Sequence, residues 1–325
     1  MFRFKGSSVE IPAAIAYHPW KPGNDGREKR VYEFAAFIMG ARWRAVVLAS
    51  LFALTGVYFV PMVILSAAVI ALVTLRNGWL EGIVIFIAAA VVTLGIFMAL
   101  PPRPGFPFPL AIVLWPPVMV AAEVLRRTYS QGFALLAVAA FMLAYVAVVH
   151  SLTGDVVAFW EQWLQQAVAN VKGATVEGFK HDGTLRLFNG LVAMLYTASV
   201  VSALLLARWW QAILYNPGGF QKEFCQLRLP RSMLLGAVLL IWLAGTVNKI
   251  LMVDLLMVAM MIYLFQGLAV LHGMLVKQGL TGFLMVPVYG LLLFMPQYGV
   301  MGLALLGAID TFIDFRRRIE ADKPS

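Results

Sequence analysis

An all-α, polytopic helical membrane protein with about ten transmembrane segments is the fold class this sequence predicts. Three observations carry that expectation. Of the 325 residues, 62% are hydrophobic and only 13% charged, whereas a soluble domain is about half apolar and about a quarter charged. Apolar runs of about 20 residues recur, the length an α-helix needs to cross roughly 30 Å of hydrocarbon. The runs are solidly apolar, without the alternation that strands of an outer-membrane barrel require.

Taken in order, residues 1–30 hold Pro12, Pro19, Pro22, Gly23 and Gly26 ahead of Arg27-Glu-Lys-Arg30. This composition predicts a flexible polar arm and lacks the apolar core of a cleavable signal peptide. A single transmembrane domain is expected over 31–318 and a short cytoplasmic tail over 319–325. Residues 31–44 place Phe34, Phe37, Ile38 and Met39 at helical spacing and read as an interfacial helix. Spans are expected at about 43–59, 60–76, 79–100, 107–126, 130–150, 187–210, 232–248, 250–275, 280–295 and 297–315. The Pro-rich run from Pro101 to Pro109 cannot be helical and predicts a rigid outer cap. Residues 155–171 place Val156, Phe159, Trp163 and Leu164 on one helical face, the pattern of a second amphipathic helix on the outer surface.

The net charge of +9 reads as topology rather than as a nucleic-acid footprint. Arg76, Arg126-Arg127, Lys222, Arg228, Arg231, Lys277 and Arg316-Arg-Arg318 fall on the side of the N-terminus. Arg103, Lys172, Lys180, Arg186 and Lys249 fall on the other and are more scattered. Positive residues accumulate on the cytoplasmic side, so both termini are predicted to be cytoplasmic, in a bacterial inner membrane. Membrane lipids are the expected partners, together with a protein partner at the cytoplasmic face or a second copy of the chain; nucleic acid is not.

Enzyme and cofactor chemistry find no signature. The single cysteine, Cys225, excludes a disulfide framework and a Cys-rich metal site. His18, His150, His181 and His272 are scattered, with no zinc-protease motif. Gly218-Gly219 is not followed by the Lys-Ser/Thr of a phosphate-binding loop. No cofactor, no metal and no catalytic residue are expected.

Ionisable and polar residues at membrane depth supply the ligand or coupling candidates, because unpaired charge there is expensive. They are Asp310, Asp314, Asp254, Gln266, Tyr196 and Asn189, with Tyr263 beside Gln266 as a further cavity-lining residue. Asp310 and Asp314 share a helical face, and Asp314 stands four before Arg318, the order that favours an ion pair. Asp254 is placed to pair with Lys249. Each also has a structural reading, as interhelical hydrogen bonding. Ala41, Ala45 and Ala49, continuing to Ala53, form a small-residue stripe that suits close helix approach or a partner helix.

The densest polar interruption between two apolar blocks is Arg208 to Pro230. Asn216-Pro217-Gly218-Gly219 is turn chemistry that ends a span sharply. Asn216, Pro217, Gly218, Gly219, Phe220, Glu223 and Phe224 are the partner-contact candidates. A packed reversal loop is the plainer reading of the same residues.

Three stretches together resemble the YybS-like family of predicted bacterial membrane proteins, whose domain has no known function. They are Phe37–Arg42 leading to Leu65–Gly78, Leu214–Pro230, and Leu306–Arg316. The likeness covers about 31–320, and the second stretch is its most specific part. It implies a more distant similarity to the substrate-binding S-components of energy-coupling-factor transporters. Those meet a partner through a small-residue stripe, a role the resemblance lends to Ala41, Ala45 and Ala49. The functional expectation is a transporter-like protein that binds a small or lipidic ligand between spans and docks a partner. The alternative is a non-transporting scaffold of envelope biogenesis, as a homodimer.

Overall fold

The computed structural model describes residues 26–100, 109–169 and 176–316. The expected cap at 101–108, most of the N-terminal arm, the tail and Arg318 lie outside them. Every regular element among the described residues is helical.

The chain opens with α1 (Gly26–Met39), which ends at Gly40. Ala41 is extended, so Arg42 and Arg44 belong to a separate helix, α2 (Arg42–Thr55). The amphipathic segment expected at 31–44 is therefore broken near its end, and the two helices bend against each other by 112°. Pro61 starts α3 (Pro61–Asn77), where its missing N–H removes no helical bond. Then follow α4 (Trp79–Ala99), α5 (Ala111–Thr128) and α6 (Gln131–Thr153). Asp155 caps α7 (Val156–Val168), its Oδ1 accepting from the Val157 and Ala158 amides at 3.0 Å each. This is the amphipathic helix expected at 155–171. The short α8 (Glu177–His181) leads to α9 (Phe188–Tyr215), α10 (Gly219–Cys225), α11 (Arg231–Val247), α12 (Lys249–Lys277), α13 (Val286–Phe294) and α14 (Pro296–Ile313).

The expectation of about ten spans is not met. Among the described residues four helices are long and apolar enough to cross a membrane, namely α4, α6, α9 and α12, or five if the bent pair α1–α2 counts as one broken span. The others fall short for physical reasons. Helices of 17 residues such as α3 and α11 reach only about 25 Å at 1.5 Å per residue, against roughly 30 Å of hydrocarbon. α5 carries Glu123, Arg126 and Arg127 in its last turns and two prolines, Pro116 and Pro117, inside it. Apolar residues all round a helix serve burial within protein as well as burial in lipid, and α3 takes the first course: it is buried without interruption from Ser66 to Leu75.

Two helices organise the packing. α3 lies against α2, α4, α5 and α9; α12 lies against α6, α9, α11 and α14. The alanine stripe of α2 turns inward: Ala45, Ala49 and Ala53 are buried, and Ser66 Oγ of α3 donates to the Ala49 carbonyl at 2.7 Å. Trp115 Nε1 in turn donates to Ser66 Oγ at 3.0 Å. Ala45 and Ala49 thus hold α2 to the rest of the bundle. α12 and α14 cross most closely. A Cβ on Gly267 would lie 2.0 Å from the Leu303 carbonyl oxygen, and one on Gly307 would lie 2.2 Å from that of Tyr263, so only glycine fits.

Candidate functional site

α12 carries three buried polar residues: Asp254 in its second turn, Tyr263 at its midpoint and Gln266 one turn further on. At 1.5 Å rise per residue, Asp254 and Tyr263 are separated by roughly 13 Å along the axis, and Tyr263 and Gln266 by roughly 4.5 Å. Each faces different neighbours.

At the end near α7, Asp254 is fully buried. Its Oδ2 accepts from Asn189 Nδ2 at 2.5 Å and lies 2.8 Å from His150 Nε2. Asn189 Oδ1 accepts from Trp160 Nε1 of α7 at 3.1 Å. Asp254 and Asn189, both expected as site residues, are thus brought together. The expected partner Lys249 is exposed and is replaced by His150, which sequence separation had left looking isolated. Tyr196 is elsewhere: its hydroxyl donates to the Val113 carbonyl at 2.6 Å, and its ring meets Tyr145 edge-on.

Just past the midpoint of α12, Gln266 comes together with Asp310, Asp314 and the segment that follows α10. Asp310 Oδ2 accepts from Arg316 Nη2 at 2.8 Å and from Gln266 Nε2 at 3.2 Å, and its Oδ1 accepts from the Phe315 amide at 3.0 Å. Gln266 Oε1 accepts from the Leu229 amide at 3.0 Å. Arg316 also donates to the carbonyls of Cys225 and Leu227 at 2.8 and 3.0 Å. Asp314, in the left-handed conformation, pairs at 2.6 Å with Arg228. The lock is satisfied at Asp310 and Gln266. It fastens residues 225–231 to α12 and α14, which is architecture rather than an open site. Arg228 and Arg316 had read only as topology signals.

The partner-contact candidates divide. Gly219 is buried, Glu223 pairs with Arg208, and Phe224 stacks on Phe220 and meets His272 edge-on. Asn216, Pro217 and Gly218 stay exposed at the turn, with Gly218 at φ +76.

Between these two clusters lies an apolar groove of about 200 Å³. Its walls are three helical stripes: Leu136, Ala139, Ala140 and Leu143 of α6; Gly236, Ala237, Leu240 and Ile241 of α11; Leu255, Val258, Ala259 and Ile262 of α12. Tyr263 lines it as well, and the Tyr263 hydroxyl is buried without a hydrogen-bond partner among the described residues. An unmet buried hydroxyl costs about 1–3 kcal/mol. The sequence singled out Tyr263, but the stripes were hidden because each belongs to a helix apolar on every face. Among the described residues no three His, Cys, Asp or Glu side chains converge to hold a metal ion.

Residues 45–311 match the family model described as predicted membrane protein (DUF2232). The chain belongs to that family. The YybS-like resemblance fits the DUF2232 description, and the matched residues include Asp254, Tyr263, Gln266 and Asp310. No curated protein and no solved structure matches the chain.

Proposed function

We propose that this DUF2232 protein is a non-enzymatic, transporter-like protein of the bacterial inner membrane that takes a lipidic ligand into the groove between α6, α11 and α12. The carrying observation is the groove itself, whose lining is apolar on all three helices, with Tyr263 the one polar side chain among the lining residues. Ligand sites are mostly apolar with a few placed polar groups, a composition that suits a lipidic ligand. Exposed Leu136 and Leu240 at the edges are consistent with entry from the bilayer. Gly236 supports the reading too, since a Cβ there would meet no atom within 4 Å.

The arginine-rich end faces the cytoplasm in this reading, by the distribution of positive charge. The exposed turn at Asn216-Pro217-Gly218 is then the surface offered to a cytoplasmic partner. The S-component likeness supports this only as analogy.

Native mass spectrometry of protein extracted in native nanodiscs tests the proposal. Wild type is expected to retain one lipidic adduct, and Gly236→Leu, which fills the groove, to lose it at unchanged melting temperature. Equal retention by both proteins, or none by wild type, contradicts it.

A further inference from the structure

A second cleft lies at the arginine-rich end, and no residue of α6, α11 or α12 lines it. It encloses about 350 Å³. Three guanidinium groups from three different helices converge there: Arg76 at the end of α3, Arg126 near the end of α5 and Arg208 in α9. Glu223 is the one carboxylate in the lining, and it is engaged by Arg208, with Nε 2.9 Å from Oε2. Arg76 is held over the Tyr215 ring at 4.1 Å and touches no carboxylate among the described residues. Arg126 lies 3.6 Å from Glu123, which also pairs with Arg127.

Arginines that only set topology have no reason to converge on one cleft, and burying one is unfavourable unless it is paired. Arg208 is only 12% exposed and Glu223 answers it; Arg76 and Arg126 leave the lining with excess positive charge. Guanidinium forks match phosphate oxygens two at a time, and a phosphate monoester carries about −1.5 to −2 at pH 7. We infer that this cleft binds a phosphate group, borne either by a soluble molecule or by a lipid headgroup.

The full-length protein tests this with inorganic phosphate as the probe, against chloride at matched ionic strength. Arg76→Gln and Arg126→Gln are the variants, because both side chains are exposed and neither change strands a buried carboxylate. Phosphate is expected to raise the melting temperature of wild type saturably, with apparent affinity about tenfold weaker in each variant, equivalent to about 1.4 kcal/mol. That outcome supports a soluble phosphate. Nanodiscs of phosphatidylcholine with and without phosphatidic acid form the second arm. Stabilisation by phosphatidic acid in wild type but not in the variants supports a headgroup. A response of wild type no greater than that of the variants in both arms overturns the inference.

Discussion

Asp310 is the centre of the lock that holds residues 225–231 in place. It receives Arg316, Gln266 and the Phe315 amide, and both ions of the Asp310–Arg316 pair are buried. Removing one partner of such a pair costs about 3–5 kcal/mol. Asp310→Asn is therefore expected to lower the melting temperature markedly, a loss that thermal unfolding in detergent reads directly. The same variant consequently does not separate a ligand carboxylate from a scaffold residue. Tyr263→Phe should act in the opposite direction. Removing an unpartnered hydroxyl relieves about 1 kcal/mol in the ligand-free protein, so delipidated Tyr263→Phe should melt no lower than wild type. Cys225 offers a third test. Burial raises its thiol above the usual range, with Arg316 opposing more weakly. Alkylation by iodoacetamide near neutral pH should be slower than for a free thiol and should accelerate as pH rises past about 8.5. At this scale the sequence was readable where a charge stood among apolar residues, as at Asp254 and Asp310. It was silent on partners, because His150 and Asp254 are 104 residues apart and nothing local links them.

The helices show a different division. α7, α9 and α12 follow from polarity and periodicity, and Asp155 marks the start of α7. The span expected at 60–76 is burial in protein that looks like burial in lipid, whereas those expected at 232–248 and 280–295 are exposed apolar helices that are too short to cross. A solidly apolar stretch such as Val69 to Leu75 looks the same in either setting, and only its neighbours distinguish them. The glycines at the α12–α14 crossing have no polar signature and were overlooked for that reason. Gly267→Ala and Gly307→Ala each force a methyl against backbone oxygen at 2.0–2.2 Å, where no rotamer gives relief. Each should lower stability by about 1–3 kcal/mol, the usual range for overpacking. Gly236→Ala, in open space, is the control and should melt like wild type.

For the whole molecule, the central proposal is that lipid occupies the groove walled by α6, α11 and α12, as distinct from merely wetting the outside of the bundle. A photo-crosslinking amino acid in place of Leu240, which lines the groove at its edge, or of Val238, which is 59% exposed and outside the lining, separates the two in native membranes. The measurement is the mass of the lipid adducts after irradiation. Position 240 is expected to capture one lipid class selectively, and position 238 to capture the bulk lipids in proportion to their abundance. The same bulk mixture at both positions would contradict the proposal.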